Sequence, residues 1–153
     1  MKKTLTLMAM SLMMMSCCGK VVETSVNVIP QPASVQVYEG ELDIAGAAFK
    51  ADEALGERAL AAINGFESQL VAATGKAAGS SKAQFVFKAD DKLACEEYAI
   101  DVCCRKVVVK ASGLNGVLYA IETIKQMLPE EIYTAQAADE DWELPYMKIQ
   151  DKP

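Results

Sequence analysis

The chain has 153 residues, of which 52% are hydrophobic, and a formal net charge of −6. This length suits one domain, and the apolar content is sufficient for an ordinary core. The acidic balance argues against binding the backbone of a nucleic acid, which requires a basic face. The sequence contains no histidine, so the commonest general base and the commonest metal ligand are both missing.

The start of the chain has the pattern of a bacterial export signal. Lys2 and Lys3 precede an apolar run over residues 5–15. This run is much shorter than a membrane-spanning helix, which needs about 20 residues. The run ends in Met14-Met15-Ser16-Cys17, where a small residue precedes a cysteine. We therefore predict a lipoprotein signal peptide over residues 1–16 and lipid attachment to Cys17. An ordinary cleaved secretory signal is the alternative, and Cys18 is a poorer lipid acceptor because Cys17 precedes it.

This signal predicts a lipid-anchored protein of the bacterial cell envelope, on the periplasmic or surface face of the outer membrane. An oxidising envelope permits disulfides, but Cys95 is separated from Cys103 and Cys104 by a predicted strand. We expect these three residues to be buried or half-exposed thiols. No metal site or cofactor is predicted, because the sequence has no Cys-x-x-Cys pair and no histidine.

Residues 17–27 are predicted to be a tether, and the folded domain to span residues 28–153. The domain begins in an extended conformation, because Pro30 and Pro32 bias the residues before them away from helix. Alternating apolar residues predict a strand at 35–38, a turn at Glu39-Gly40, a returning strand at 42–44 and a short strand at 48–50.

Two amphipathic helices are predicted from apolar residues spaced three and four apart. The first begins after Asp52, which is a candidate N-cap, runs for about 20 residues through Gly56 and Gly65, and ends at Gly75. The second carries an apolar stripe and stops at Pro129. Its stripe consists of Leu114, Val117, Leu118, Ile121, Ile124 and Leu128.

A strand at 84–87 and a hairpin lie between these helices. The hairpin pairs residues 98–102 with 107–111 about a turn at Arg105-Lys106, and the expected register sets Val102 opposite Val109. Residues 130–141 are predicted to be a solvated acidic loop, and residues 142–151 a final extended stretch. The predicted fold class is α+β: a two-layer sandwich of a mostly antiparallel sheet with both amphipathic helices on one face.

No catalytic constellation is visible in the residues themselves. Thr74-Gly75-Lys76 is not a phosphate-binding loop, because the lysine follows a helix instead of opening one. Paired carboxylates such as Glu96-Glu97 lie in predicted loops or strand edges, which indicates a solvated surface. Tyr133, Trp142 and Tyr146 could stack on a sugar, although packing, here against a following domain, is the commoner role of such residues.

The order of several segments resembles the small N-terminal domain of glycoside hydrolase family 20, the β-N-acetylhexosaminidases. The segments are VIPQP, EEYAIDV, KVVVKASGLNGVLYAIETIKQMLP and WELPYMKIQDKP, and the resemblance covers residues 28–153. Ile121 and Glu122 depart from the family, which often has Leu and Gln there. The matching positions in the second helix and in the final strand are Gly116, Tyr119, Ala120, Thr123, Gln126, Leu128, Pro129, Ile149, Asp151 and Pro153.

The resemblance implies an accessory domain that leads into a catalytic (β/α)8 barrel after residue 153. The family's catalytic residues lie in a His-x-Gly-Gly-Asp-Glu-type motif on that barrel, and no residue of this chain matches them, so no catalytic residue is predicted here. The implied partners are the barrel, the membrane through the anchor, and the glycan substrate through the barrel. The competing hypothesis is a stand-alone lipoprotein that binds a glycan or an envelope partner.

Overall fold

A computed structural model describes residues 19–22, 25–134 and 136–153. Seven strands and two α-helices follow one another along the chain. They are β1 (Val21–Val22), β2 (Ser34–Asp43), β3 (Ala48–Ala51), α1 (Glu57–Thr74), β4 (Gln84–Ala89), β5 (Tyr98–Cys103), β6 (Lys106–Ala111), α2 (Leu114–Gln126) and β7 (Glu143–Asp151). Short 3₁₀ helices precede α1 at Glu53–Leu55 and follow α2 at Glu130–Tyr133.

The strands form one sheet in the order β1-β2-β7-β5-β6-β4-β3. Four of its neighbouring pairs are antiparallel, and the pairs β3–β4 and β4–β6 are parallel. α1 and α2 pack on the face formed by the buried side chains of the strands. The opposite face is not covered by either helix and is called the open face below. The predicted α+β sandwich, mostly antiparallel with both helices on one face, is confirmed.

α1 lies on an aromatic cluster at the β4 side of the sheet. Phe66 points from the helix between Phe49 and Phe85, with ring centroids 5.6 Å and 5.5 Å away and both contacts edge-to-face. Phe49 and Phe85 stack at 4.6 Å. The helix ends as predicted at Gly75, whose left-handed conformation (φ 66°) closes the last turn onto Val71.

The start of α1 differs from the expectation. Asp52 does cap a helical turn, because its side chain accepts a hydrogen bond from the backbone N–H of Ala54. That turn is a separate 3₁₀ helix, and Gly56 lies between it and α1 with φ 91° instead of inside one continuous helix. Only glycine adopts this conformation without strain, so the glycine divides the helical segment.

The predicted turn at Glu39-Gly40 is wrong. β2 continues through it as a single strand, and its pairing with β7 shifts register between Val37 and Glu41. Gly40 has φ 106°, and a side chain there would come within 2.7 Å of the Tyr146 ring. A glycine in this conformation allows a β-bulge, which bends the strand without ending it.

The hairpin between β5 and β6 exists, but its predicted register is wrong by two residues. Val102 pairs with Val107, and Ile100 pairs with Val109. The turn is the two-residue pair Cys104-Arg105, both with positive φ (50° and 74°), which matches the twist of the strands. Because the error is an even number of residues, the apolar side chains still share one face.

Three further expectations change in detail. Leu118 was placed in the apolar stripe of α2 but is 42% exposed, while Gly116 and Ala120 are buried. The loop at 130–141 contains the 3₁₀ helix Glu130–Tyr133, which buries Ile132 completely. β1 lies within the segment assigned to the tether and pairs with β2, and Val26 is buried in the core.

Candidate functional site: the polar junction at the end of β7

The end of β7 is where most of the polar side chains that hold the domain together meet. Asp151 lies directly beside Tyr98, the first residue of β5, in the sheet register. α2 passes over this pair, and the segment that leads into β2 runs alongside it. We call the connected side chains Tyr98, Thr123 and Asp151, together with Gln126 on α2, the polar junction.

Tyr98 and Thr123 form the buried centre of the polar junction. Their hydroxyl oxygens are 2.6 Å apart, and the two residues are only 2% and 5% exposed. The Tyr98 hydroxyl also points at Asp151 Oδ2, at 3.4 Å. Donation from Thr123 to Tyr98 and from Tyr98 to Asp151 satisfies every hydroxyl hydrogen, which a buried polar pair requires.

This environment raises the pKa of Tyr98 above its ordinary value. The main cause is burial, which disfavours the phenolate, and the negative charge of Asp151 adds to it. The bond with Thr123 lowers the pKa; this effect is smaller than that of burial but larger than that of the Asp151 charge. Tyr98 therefore stays neutral, and its hydroxyl links β5 to α2 through Thr123 and to β7 through Asp151.

Asp151 and Gln126 fasten the segment that enters the sheet. Asp151 Oδ1 accepts a hydrogen bond of 2.9 Å from the backbone N–H of Ala33. The side-chain amide of Gln126 makes two hydrogen bonds with the backbone of Ile29: it accepts from the N–H at 2.8 Å and donates to the carbonyl at 3.2 Å. The segment before β2 is thus held to both α2 and β7 by side chains instead of by a strand ladder.

Gly116 brings α2 down onto the loop before β5. A Cβ atom at this position would lie 2.6 Å from the carbonyl oxygen of Glu97 and 2.9 Å from the Cβ of Ala111. Real Cβ contacts are not that short, so only glycine allows the helix this approach. The close approach places Thr123, two turns further on, within hydrogen-bond distance of Tyr98.

Glu97 lies at the surface next to the polar junction and forms two hydrogen bonds there. Its carboxylate accepts from the backbone N–H of Ala94 and from the side-chain amide of Gln150, both at 3.0 Å. These two bonds, in that order, lower the pKa of Glu97, and the charge of Lys152 lowers it further. Glu97 is therefore ionised at neutral pH and ties the loop before β5 to β7.

An exposed apolar surface lies on the outer side of α2. Leu118, Tyr119 and Tyr133 are 42%, 40% and 53% exposed, and we call these three residues the α2 patch. Lys125 fixes Tyr133 against the helix, with its ammonium 4.6 Å from the ring centroid and 2.8 Å from Glu122 Oε1. This contact holds the exposed ring of Tyr133 in place beside the helix.

Several residues singled out from the sequence have structural roles. Trp142 is only 4% exposed and donates from Nε1 to the carbonyl of Ala138, so it packs inside this domain and not against a sugar or a following domain. Lys76 follows the end of α1, as the sequence indicated. The described residues hold no group of three or more acidic, cysteine or histidine side chains that could bind a metal ion.

The lipid-attachment prediction at Cys17 and the signal peptide lie outside the described residues. Among the residues that are described, no helix is both long and apolar enough to cross a membrane. Cys95 is exposed, and Cys103 and Cys104 lie at the β5–β6 turn with their sulfur atoms 3.1 Å apart. Cys104 is exposed as well, so the expected burial is wrong for Cys95 and Cys104, while Cys103 is half-exposed as expected. The thiol state of the three residues stays a prediction.

The comparisons with known proteins assign the domain. The family model described as "Glycosyl hydrolase family 20, domain 2" matches residues 25–152. The chain therefore belongs to glycosyl hydrolase family 20 and contains its domain 2, in agreement with the resemblance seen in the sequence. Comparison with curated proteins gives no match.

Solved structures share the fold at low sequence identity. The GH20 β-N-acetylhexosaminidase of Streptomyces coelicolor A3(2) is 22% identical with a TM-score of 0.72, covering 88% of this chain and 28% of that protein. The chitobiase of Flavobacterium johnsoniae is 21% identical, with a TM-score of 0.63 over 84% of this chain and 21% of that one. The β-N-acetylhexosaminidase of Bacteroides fragilis NCTC 9343 is 20% identical, with a TM-score of 0.54 over 81% and 24%.

The sequence identified the residues of the polar junction only through the family resemblance. Gly116, Thr123, Gln126 and Asp151 were named as matching positions, and the structure gives each a contact that explains it. Tyr98 stood out only as an apolar strand residue. No periodicity signals its hydroxyl, because its partners are 25 and 53 residues away in the chain.

Proposed function

We propose that this chain is the non-catalytic accessory domain of a secreted, lipid-anchored β-N-acetylhexosaminidase that removes terminal N-acetylhexosamine from glycans. The observation that carries the proposal is the family match over residues 25–152. The three solved proteins described above are named as hexosaminidases or chitobiase, and this chain spans only 21–28% of their length. The remaining length would supply the catalytic barrel.

The role of the domain in that enzyme is structural. The polar junction ties the last strand to the segment that enters the domain, so the direction in which the chain leaves β7 is fixed by Asp151. The α2 patch lies on the same helix as Thr123 and Gln126 of this junction, and its apolar side chains are exposed to solvent. We propose that the catalytic barrel packs on the α2 patch, which would bury Leu118, Tyr119 and Tyr133.

The enzymatic part of the proposal is tested on the gene and on its product. The reading frame after Pro153 should encode a barrel domain with a His-x-Gly-Gly-Asp-Glu-type motif. The complete protein should release 4-nitrophenol from 4-nitrophenyl N-acetyl-β-glucosaminide. A frame that ends at Pro153 would remove the hexosaminidase proposal and leave the stand-alone binding lipoprotein.

The docking role is tested by Leu118→Lys in the complete enzyme, with Ser68→Lys on the exposed side of α1 as the matched control. Burial of a charge in the interface should lower the melting temperature for Leu118→Lys only, with kcat/KM changing less than stability. An equal response of both variants would contradict docking at the α2 patch.

Lipid attachment rests on the residues Met14-Met15-Ser16-Cys17. Cells grown with an alkyne fatty acid should label the protein, and Cys17→Ser should abolish the label while Cys18→Ser keeps it. Labelling that survives Cys17→Ser would contradict the assignment. The outer membrane is proposed as the location, and membrane fractionation of labelled cells checks it.

A further inference from the structure

The open face of the sheet carries a concentration of positive charge that contrasts with the acidic chain as a whole. Alternation of side chains along β4, β6 and β7 directs Lys88, Lys110 and Lys148 to this face, opposite the buried core residues. Lys50 on β3 and Lys106 at the start of β6 extend it toward the sheet edge. Asp101 is the acidic residue that the described strands place between these lysines. Glu41, Asp43 and Glu143 lie on the same face but at the other end of the β2–β7 pair.

The arrangement of the lysines is unfavourable without a ligand. Lys88 and Lys110 are direct partners in the β4–β6 ladder, and like charges placed opposite each other destabilise a sheet. Within the described part of the chain, no carboxylate oxygen lies within 4.0 Å of the ammonium groups of Lys88, Lys110 or Lys148. An anion placed between these lysines would remove the repulsion.

Asp101 has an unused hydrogen-bond acceptor at the centre of the same face. Its Oδ1 is buried and has no hydrogen-bond partner, although Lys148 is its cross-strand neighbour on β7. Buried acceptors are nearly always satisfied, and one that is not requires an explanation. A ligand hydroxyl or amide N–H would supply the missing donor.

These groups share a shallow depression of about 520 Å³, which is within the size range of small-ligand sites. Ala99 and Val108 lie in its lining and leave room beside Asp101. The side chains that surround them are Gln36, Lys88, Lys110, Lys148 and Gln150. Both amide side chains already have a hydrogen bond, because Gln36 accepts from the Tyr38 hydroxyl and Gln150 donates to Glu97.

We propose that the open face binds an acidic oligosaccharide, that is, a glycan segment whose sugars carry carboxylate or sulfate groups. The anionic groups lie against Lys88, Lys110 and Lys148, and a sugar hydroxyl donates to Asp101 Oδ1. The choice of a glycan as ligand rests on the proposed function. A flat anionic membrane fits less well, because the acceptor lies at the centre of a depression that a flat surface does not enter.

The first test measures binding separately from hydrolysis, by titration calorimetry at low salt. The probes are an octasaccharide of hyaluronan, which carries carboxylates, an octasaccharide of heparin, which carries sulfates, and neutral N-acetylchitohexaose. At least one acidic probe should bind and the neutral one should bind much more weakly, and added salt should weaken the acidic complex. Absence of binding by both acidic probes would overturn the proposal, whatever the enzyme assay shows.

Charge variants locate the site. Lys110→Gln and Lys148→Gln should each weaken binding by about tenfold, the loss expected for one charge-assisted hydrogen bond. Lys76→Gln and Lys82→Gln, on the exposed loop between α1 and β4, make the same change of net charge elsewhere and should have little effect. Equal losses in both pairs would show non-specific attraction and overturn the site.

Asp101→Val separates a built site from simple charge attraction. Removing a negative charge would tighten any purely electrostatic complex, whereas loss of the acceptor should weaken the proposed complex by about tenfold. The variant should keep the fold, because it removes an unpaired buried acceptor and places a β-branched residue on a strand. Tighter binding by Asp101→Val, or capture of phosphatidylglycerol vesicles in place of the glycan, would overturn the proposal.

Discussion

α1 and α2 cover the same face of the sheet, but different kinds of contact hold them there. α1 is held by apolar packing, centred on Phe66 between Phe49 and Phe85. α2 also buries apolar residues in the core, among them Val117 and Ile124. To this packing it adds a close backbone approach at Gly116 and side-chain hydrogen bonds from Thr123 and Gln126. Apolar packing tolerates changes of shape, whereas contacts of the second kind fix one position and one direction. The helix beside the end of β7 is therefore the one whose placement is fixed in detail.

The largest effect is expected in the apolar half. Phe85→Ala removes a ring that is completely buried and contacts both Phe49 and Phe66, so the free energy of unfolding should fall by about 3–5 kcal/mol. Urea unfolding measures this change. Val86→Ala on the open face is the control and should cost less, and a similar loss for both variants would contradict the role given to the aromatic cluster.

A matched pair of glycines distinguishes the two helices most directly. Gly116→Ala should lower the free energy of unfolding by about 1–3 kcal/mol, because its new Cβ atom meets the Glu97 carbonyl and forces α2 to shift. Gly65→Ala in α1 meets nothing within 4 Å and should raise it by about 0.5–1 kcal/mol. Changes of the same sign in both variants would remove the distinction between the helices.

The hydroxyl of Tyr98 tests the hydrogen bonding in the polar half. Tyr98→Phe leaves the buried Thr123 hydroxyl without this partner and should cost about 1–3 kcal/mol. The double variant Tyr98→Phe with Thr123→Val removes both partners and should recover part of that loss. Additive losses from the two single variants would show that the hydroxyls do not act together.

The same tyrosine predicts a response to alkaline pH. Its pKa in the folded protein is raised above the ordinary value of 10.0, so the folded state holds the phenolic proton more tightly than the unfolded state does. The resulting stability is fully present below pH 10 and is lost as pH rises through the folded pKa. Thermal unfolding between pH 9 and pH 11 should show a smaller decline for Tyr98→Phe than for the natural sequence.

The smallest effect is expected at the start of β7. Glu143 has a raised pKa, caused first by its hydrogen bond with Glu41, then by burial and by the charges of Glu41, Asp141 and Asp43. A raised carboxyl pKa means stability that is present below the unfolded value and lost as pH rises through the folded one. Glu143→Gln should therefore raise the melting temperature slightly at pH 7 and not at pH 4. An equal gain at both values would contradict charge repulsion as the cause.

The sequence predicted best what depends on local patterns. The apolar stripe of α1 and its glycine end were readable because residues three and four apart must share a face. The register of the β5–β6 hairpin was not, because Cys104 and Arg105 adopt positive φ without the Asn-Gly or Asp-Gly pair that normally signals such a turn. Gly40 was mistaken for a turn, since a bulge and a turn use the same glycine conformation.

The polar junction could be located in the sequence but not explained by it. Resemblance pointed to Thr123, Gln126 and Asp151, yet their partners Tyr98, Ile29 and Ala33 lie 25, 97 and 118 residues away. Contacts between residues so far apart in the sequence depend on the order of the strands in the sheet, which cannot be predicted from local sequence patterns. The lysines of the open face likewise became neighbours only once β6 was seen to lie between β4 and β5.

The order of the strands also has a mechanical consequence. β7 joins β1 and β2 to the rest of the sheet, and Ser34 at the start of β2 lies opposite Gln150 near the end of β7. Tension between the two ends of the chain would therefore pull on the same end of the antiparallel β2–β7 ladder and open its bonds one after another, instead of shearing them together. The hydrogen bond from Ala33 to Asp151 lies just outside the first pair of that ladder, so it must break before the ladder itself opens. The β1–β2 pairing and the bonds of Gln126 to Ile29 lie nearer the start of the chain and would bear the force before it.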